Sequence, residues 1–260
     1  RVGSVSAGWE HFNEWKKIIE QVKGKKIFVF LDYDGTLAPI ASRPEQAVMS
    51  SDARNTLSNL AKKFKTAVIS GRSIRDIKKL INIKNMDYSG NHGFEISINN
   101  RIITVPSARW ILPELAEVKK SLVGDVKRVR NAFVEDKGLI LAVHWRLVDK
   151  KSIPELREIV CRHIKNKKKL CFSSGKKVWE IRPCMKYNKG TAIDFLLSLY
   201  RVRKNCAVFY IGDDNTDEDA FEYLLNEYTI RVGRKNKSKA KYYVRNQDEV
   251  VRLLRLIEYL

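Results

Sequence analysis

The segment FVFLDYDGTLAPI, residues 28–40, decides the fold of this chain. Its first four residues are apolar and lead directly into Asp32, Tyr33, Asp34, Gly35 and Thr36, which is typical of a buried strand that ends in a turn. Side chains at positions i and i+2 of an extended segment point the same way, so Asp32 and Asp34 are expected side by side. Two carboxylates this close repel each other unless a cation or a shared proton relieves them. The segment therefore indicates a metal site or acid–base chemistry.

The chain around this segment alternates between strands and helices. Strands are predicted at 26–31, at 66–70, in MDYSGNHG and in CAVFYIGDD; helices are predicted at 9–23, 50–64, 73–81 and 190–200, and a hairpin about Asn99 and Asn100. Such alternation favours a parallel α/β sheet. Ligands of these sheets bind beyond the carboxyl ends of the strands, which is where Asp32, Ser70 and His92 fall.

The pattern changes between Pro106 and Pro183. The order there is helix, strand, strand, helix, strand, strand, after which the alternation resumes. We therefore predict a core made of residues 1–105 and 184–260, and an α+β module of residues 106–183 inserted into it.

Composition narrows the class of protein. With 260 residues, 44% hydrophobic and 31% charged, the chain fits a globular protein. No apolar run approaches the roughly 20 residues of a membrane span, and the first residues lack the apolar core of a signal peptide. The cysteines at 161, 171, 184 and 206 form no CxxC pair, so we expect neither a zinc site nor a disulfide framework, but a reduced cytoplasmic protein.

The net charge of +20 has two interpretations. It could serve a nucleic acid or an anionic membrane, or it could be a solvated basic surface that attracts anionic metabolites. The densest basic runs, KNKKKL at 165–170 and RKNKSKAK at 234–241, are short, and no nucleic-acid-binding motif accompanies them. Nucleic acid is therefore not expected as the main partner.

Four motifs fall at strand or helix ends: Asp32–Thr36, Ser70–Arg72, Lys189–Gly190 and GDDNTDED at 212–219. Clustered carboxylates suit Mg²⁺, and a carboxylate can act as a nucleophile toward phosphorus. A hydroxyl, backbone N–H groups and a lysine supply the positive surroundings that phosphoryl transfer needs. Each motif alone also fits a capped turn, a helix cap, a surface lysine or an acidic helix start. The combination, in this order, is what indicates phosphoryl chemistry.

These motifs resemble those of the haloacid dehalogenase (HAD) superfamily of phosphatases, and more fully those of the trehalose-6-phosphate phosphatases. The matching segments are LDYDGTLAPI, AVISGR, GNHG, LAVHWRLVD, GKKVWEIRP, NKGTAIDFLL and IGDDNTDEDAF, from about residue 26 to the end of the chain. The resemblance implies a Rossmann-like core with a parallel sheet and an inserted α+β cap domain. It also implies Mg²⁺-dependent hydrolysis of trehalose 6-phosphate through an aspartyl-phosphate, as part of trehalose biosynthesis.

The resemblance assigns roles to the core residues one by one. Asp32 matches the nucleophile and Asp34 the general acid and base. Mg²⁺ would be held by Asp32, the backbone carbonyl of Asp34, and Asp213, and the phosphate by Ser70, Gly71 and Lys189. Asp214 and Asp217 would lie around the Mg²⁺ ligands. Asn188 stands where the family has an aspartate before the lysine, which puts the orientation of Lys189 in doubt.

Sugar recognition is assigned on the same basis. Lys176 and Glu180 match cap positions that bind sugar hydroxyls, and His92, Arg109 and His144 are further candidates. An ordinary cross-strand charge pair would also account for Lys176 and Glu180, and a histidine bonded within the core would account for His92. Trp145 stands where the family often has tyrosine, which we regard as tolerable.

Two other functions stay open on the sequence alone. One is the same chemistry on another sugar phosphate, such as sucrose 6-phosphate or a mannosyl phosphoglycerate. The other is a non-catalytic binder of polyanions, which the complete acidic set disfavours because carboxylates repel a polyanion. The expected partner is a small-molecule sugar phosphate, with neither a membrane nor nucleic acid, and a monomer is the simplest assumption.

Overall fold

The computed structural model describes residues 10–104, 110–175, 177–185, 187–202, 204–234 and 237–260. Contacts divide the chain into two compact units: the described residues of 1–102 and 187–260 form unit one, and those of 103–186 form unit two. Whether the functional boundaries lie at 105/106 and 183/184 remains a prediction.

The described residues contain a sheet of eight strands, which belongs to unit one except for Ile103 and Thr104 at the end of the edge strand, in the order β12-β11-β10-β1-β2-β3-β4-β5. These strands are β1 (Lys26–Leu31), β2 (Lys65–Ile69), β3 (Asp87–Gly90), β4 (Glu95–Ile98), β5 (Arg101–Thr104), β10 (Cys206–Gly212), β11 (Tyr228–Val232) and β12 (Tyr242–Val244). The pairs from β12 to β3 are parallel, and β4 runs antiparallel to β3. The predicted parallel α/β sheet is confirmed, and β4 and β5 form the hairpin predicted about Asn99 and Asn100.

The helices of unit one are α1 (Glu10–Val22), α2 (Ser51–Lys63), α3 (Ile74–Ile81), α6 (Lys189–Leu199), α7 (Glu218–Tyr223) and α8 (Gln247–Glu258). Local sequence explains where several begin. The hydroxyls of Ser50 and Ser73 accept hydrogen bonds from the third residue of α2 and of α3, which satisfies N–H groups that a helix leaves without an internal partner. Each helix in the described part of the chain is too short or too polar to span a bilayer.

Strand β1 lies at the centre of the sheet, between β10 and β2. Residues 28–31 are completely buried, with Val29 and Leu31 in one hydrophobic cluster and Phe28 and Phe30 in another. A strand covered on both faces needs a continuous apolar run, which is what this segment supplies. Because β1, β2 and β10 are parallel, their carboxyl ends meet at one edge of the sheet.

Unit two contains α4 (Leu112–Val126), β6 (Phe133–Asp136), β7 (Leu141–His144), α5 (Ile153–Ile164), β8 (Leu170–Gly175) and β9 (Val178–Pro183). This is the predicted order of elements. The strands form an antiparallel sheet in the order β6-β7-β9-β8, and its apolar face, including Val143, Trp179 and Ile181, belongs to the cluster that also contains Leu122 and Leu156 of the two helices. The opposite face carries polar side chains.

A disulfide joins Cys171 of β8 to Cys184, the residue after β9, with 4.7 Å between their Cα atoms. The expectation of a chain without disulfides is therefore wrong. The bond forms because β8 and β9 are antiparallel neighbours, a proximity that a spacing of 13 residues does not reveal. The cytoplasmic location stays a prediction, and this disulfide does not favour a reducing compartment.

Candidate active site

The predicted core residues meet at the carboxyl edge of the large sheet. Asp32 follows β1, Ser70 follows β2 and Asp213 follows β10. Asp32, Asp213 and Asp217 each offer a carboxylate oxygen, and these three atoms lie within 4.8 Å of one another. Asp32 and Asp217 are buried, so their charges are poorly screened by water. The structure thus places three acidic groups in one small volume.

Lys189 supplies the positive charge of this cluster. Its side chain is 3% exposed, and its Nζ lies 3.0 Å from Asp32 Oδ1 and 2.6 Å from Asp217 Oδ1. Burial alone would lower the pKa of Lys189, but the carboxylates of Asp217 and Asp32 raise it above its ordinary value. Lys189 is therefore a permanent ammonium.

The surroundings of Asp32 disfavour its charged form. Burial raises the pKa of Asp32 well above its ordinary value, Lys189 lowers it, and Asp217, Asp213 and Asp34 raise it further. One ammonium does not offset three neighbouring carboxylates. The surplus negative charge and the hard oxygen donors fit a divalent cation such as Mg²⁺.

Asp217 is engaged with protein groups on both carboxylate oxygens. Its Oδ1 accepts from Lys189 Nζ and, at 2.5 Å, from the phenol of Tyr210, while its Oδ2 accepts from Asp214 N at 2.8 Å. Asp217 therefore orients Lys189 toward Asp32. Asp32 and Asp213 are the better candidates to hold a metal.

Asp214 lies at the start of the turn that follows β10. Its Oδ1 accepts from Asn215 N at 2.6 Å, so the carboxylate caps the 3₁₀ turn Asn215–Asp217. The prediction that Asp214 and Asp217 surround the Mg²⁺ ligands remains a prediction.

Asn188, which stands where the family has an aspartate, caps the start of the helix that carries Lys189. Its side chain accepts from Thr191 N at 3.0 Å, and the Thr191 hydroxyl accepts from Asn188 N at 2.9 Å. This reciprocal cap fixes the start of α6. Lys189, the first residue of α6, is thus held by an asparagine cap at its backbone and by Asp217 at its tip.

Gly35 makes room for Asp213. Gly35 has φ +86°, and a Cβ at this position would overlap the Asp213 carboxylate. Its carbonyl accepts from Gln247 Nε2 at 2.6 Å, which ties the turn after β1 to the first residue of α8.

Asp34 is paired with Arg72. The guanidinium donates from Nε to Asp34 Oδ2 at 2.7 Å and from Nη2 to Oδ1 at 2.6 Å, and also donates to the carbonyl of Pro44. Such a bidentate pair fixes both the position and the plane of a carboxylate. The side chain of Asp34 is 36% exposed, so solvent or a ligand reaches it.

Ser70, Gly71 and His92 lie together beside this pair. The Ser70 hydroxyl is buried and accepts from Arg72 N at 3.1 Å, and Ser70 O accepts from His92 N at 3.0 Å. A Cβ on Gly71 would lie 2.5 Å from His92 Cε1, so the imidazole packs directly on this glycine. Asn91 and His92 both have left-handed backbone, with φ of 51° and 56°. Consecutive strained residues of this kind concentrate at functional sites.

Unit two holds the remaining described candidates, Glu180 and His144. Register places both on the polar face of the small sheet. Glu180 is buried and accepts from Lys137 Nζ at 3.0 Å, and His144 Nε2 lies 2.7 Å from Glu135 Oε2. The predicted residues Arg109 and Lys176 lie outside the described residues.

Sequence reasoning missed three features of the core site. These are the contact of Arg72 with Asp34, the contact of Tyr210 with Asp217, and the contact of Arg231 with Asp213. Arg72 was part of the motif Ser70–Arg72, but its contact with Asp34 spans 38 positions. Tyr210 and Arg231 each place a polar group inside a strand that is otherwise almost wholly buried, and that was the available signal.

The fold is HAD-like, a parallel sheet with an inserted module, and its central strand ends at Asp32, beside Lys189, as in the phosphatase motifs that the sequence resembles. The fold agrees with a solved haloacid dehalogenase-like hydrolase from Bacteroides thetaiotaomicron, with a TM-score of 0.63 and 16% identity over 91% of this chain and 100% of that one.

Within that class, residues 30–249 match the model of the trehalose-phosphatase family, and the chain belongs to this family. It is 38% identical to the probable trehalose-phosphate phosphatase J of Arabidopsis thaliana, over 95% of this chain and 71% of that one. A solved trehalose-6-phosphate phosphatase related protein superposes with a TM-score of 0.80 and 27% identity, covering 89% of this chain and 97% of that one. The chain is accordingly an enzyme, a trehalose-phosphatase among the phosphoric monoester hydrolases.

Proposed function

We propose that this enzyme hydrolyses trehalose 6-phosphate to trehalose and phosphate in two steps, through an aspartyl-phosphate on Asp32. The observation that carries the proposal is the contact of 3.0 Å between Lys189 Nζ and Asp32 Oδ1 within the acidic cluster. A buried carboxylate beside a fixed cation is suited to attack a phosphoryl group whose charge that cation also offsets.

In the first step, a carboxylate oxygen of Asp32 bonds to phosphorus while the bond from phosphorus to the sugar oxygen breaks. Asp34, protonated, gives its proton to that sugar oxygen. The Ser70 hydroxyl, the Gly71 N–H and Lys189 hold the phosphoryl oxygens. In the second step, Asp34 takes a proton from water, the water oxygen bonds to phosphorus, and the bond to Asp32 breaks. Arg72 pairs with the ionised form of Asp34 at the reacting edge, so one of these two hydrogen bonds breaks when an Asp34 oxygen carries the proton.

The cation in this proposal is Mg²⁺, held by Asp32, Asp213 and the backbone carbonyl of Asp34. When bound, Mg²⁺ offsets the negative charge of the carboxylates and of the phosphoryl group. Burial raises the pKa of Asp32, and a neighbouring cation would act in the opposite direction by favouring the ionised carboxylate.

Residues 106–183 act as the cap that recognises the sugar. Glu180 accepts from sugar hydroxyls, and Lys137 holds its carboxylate in place. Lys176, Arg109 and His144 complete the set on the cap, and His92 serves from the core. The support for Glu180 is that its carboxylate is a buried charge on a polar sheet face, with a specific partner.

Release of phosphate from trehalose 6-phosphate, measured with and without Mg²⁺, tests this function. Other sugar phosphates are run in parallel, with Asp32→Asn as the inactive variant and Asp52→Asn, a surface aspartate, as its matched control. Selective Mg²⁺-dependent turnover that is lost in Asp32→Asn and kept in Asp52→Asn supports the proposal. Preference for another sugar phosphate would contradict the assignment of the cap residues to trehalose. Full activity of Asp32→Asn would contradict the aspartyl-phosphate intermediate.

A further inference from the structure

The loop after β10 concentrates negative charge. Asp213, Asp214, Asp217, Glu218 and Asp219 fall within seven residues. Like charges at this spacing push the chain apart unless cations or hydrogen-bond donors hold it. Lys189 holds Asp217 from one side.

Arg231 holds this loop from the other side. It lies on β11, directly opposite Gly212 in the parallel pairing with β10, and its side chain is 10% exposed. Its Nη2 donates to the carbonyl of Asp213 at 2.5 Å, and its Nη1 donates to the carbonyl of Asp214 at 3.2 Å. One guanidinium therefore spans two successive peptide carbonyls, those of the predicted metal ligand and of the residue after it.

The guanidinium is itself oriented by Glu218. Arg231 Nη1 donates to Glu218 Oε1 at 2.8 Å, and Glu218 Oε2 accepts from Lys239 N at 2.8 Å and from the Ser238 hydroxyl at 3.3 Å. Strand β11 is paired on both sides, with β10 and with β12, so it offers a fixed base. The planar fork of arginine can bond two fixed acceptors at once, which a lysine ammonium does not reproduce.

We propose that Arg231 is a positioning residue for the cation site: by fixing the carbonyls of Asp213 and Asp214 it sets the direction of the Asp213 carboxylate before the metal binds. The inference rests on the Mg²⁺ site of the proposed function. Groups that orient a metal ligand from outside typically change metal affinity by about 10–100-fold when removed.

Mg²⁺ binding by titration calorimetry, without substrate, tests the inference. Arg231→Met should weaken Mg²⁺ binding at least about tenfold, Arg231→Lys should lose less, and Glu218→Gln should lie between wild type and Arg231→Met. The control is Arg245→Met, which removes an exposed arginine side chain that precedes α8 and pairs with Glu249 of that helix. In turnover, the Mg²⁺ concentration for half-maximal rate should rise in Arg231→Met while the rate at saturating Mg²⁺ recovers.

Each outcome decides the inference. Unchanged Mg²⁺ affinity in a folded Arg231→Met, an equal loss in Arg245→Met, or no Mg²⁺ binding by the wild type overturns it. If Arg231→Met does not fold, wild-type affinity in both Arg231→Lys and Glu218→Gln overturns it, and graded losses support it. If trehalose 6-phosphate is not hydrolysed but Arg231→Met still binds Mg²⁺ more weakly, the proposed function fails and this inference stands.

Discussion

At the scale of single residues, Gly35 shows how closely the active site is packed. Its φ of +86° suits glycine, and the space that a side chain would fill is taken by the Asp213 carboxylate. Gly24 offers a matched comparison, because it has a similar φ of +76° and open space around it.

We predict that Gly35→Ala lowers turnover by at least about 100-fold, since in the proposed Mg²⁺ site a displaced Asp213 would no longer hold the cation with Asp32. Gly24→Ala pays the same cost of left-handed backbone, about 1 kcal/mol, and should keep its activity. Steady-state kinetics and urea unfolding of both variants provide the measurement. Equal loss of activity in the two, or full activity in Gly35→Ala, would contradict the packing argument.

Some residue contacts could be read from the sequence and others could not. The alternation of Asp32 and Asp34, and the caps at Ser50 and Ser73, depend only on neighbours along the chain. The contact of Gln247 with Gly35 joins residues 212 positions apart, so it depends on the finished fold. The same holds for Arg72 with Asp34, and this is why the motifs predict the candidate site residues but not the contacts among them.

At the scale of elements, Tyr200 at the end of α6 connects this helix to the start of β3. Its hydroxyl donates to Asp87 Oδ2 at 2.7 Å. Burial raises the pKa of Tyr200 above its ordinary value, and Asp87 raises it further. The folded protein therefore keeps a phenolic proton that the unfolded chain releases near pH 10.

The stabilisation by Tyr200 is fully present below pH 10 and is lost as the pH rises above it. Wild type should thus exceed Tyr200→Phe in free energy of unfolding by about 1–3 kcal/mol at pH 8. Above pH 10 this difference should shrink by up to about 1.4 kcal/mol per pH unit. Urea unfolding at pH 8 to 11 measures it, with the exposed Tyr259→Phe as control. A difference that stays constant with pH would refute the assignment.

The Cys171–Cys184 bond acts on unit two, where it ties the start of β8 to the end of β9. We predict that the double substitution Cys171→Ser, Cys184→Ser lowers the free energy of unfolding by about 3 kcal/mol, because the disulfide no longer restricts the unfolded chain. Cys161→Ser is the control, since Cys161 is an exposed free thiol.

Counting the free thiol groups tests independently whether this disulfide forms. The denatured, unreduced wild type should show only the two free thiols of Cys161 and Cys206 among its four cysteines. Reduction should shift the melting of the wild type and leave the double variant unchanged. Four reactive thiols in freshly folded protein would mean that the bond does not form.

The elements themselves follow closely from the sequence. β1 is a continuous apolar run and was predicted with the same bounds, because a strand buried on both faces needs no alternation. Unit two was predicted in the correct order, but its disulfide was not, since the pairing of β8 with β9 brings the cysteines together. Register, more than secondary structure, is what single-sequence reasoning lacks here.

At the scale of the whole molecule, the net charge of +20 contrasts with the local negative charge of the carboxylate-rich active site. Fifty basic and thirty acidic side chains leave many cations that cannot be paired one to one. Surface pairs such as Lys23 with Glu20 contribute little to stability. The surplus is better understood through its long-range field, which raises the local concentration of anions.

We predict that this field accelerates the capture of the phosphorylated substrate. Raising the ionic strength from about 0.01 M to about 0.15 M shortens the screening length from about 30 Å to about 8 Å, so kcat/KM for trehalose 6-phosphate should fall several-fold while kcat stays constant. The measurement is a KCl series at fixed Mg²⁺. Trehalose, the uncharged product, is the control, and its inhibition constant should not respond to salt. If kcat/KM is flat, or if product inhibition weakens in parallel, the charge serves something other than substrate capture, and polyanion binding becomes the interpretation to test.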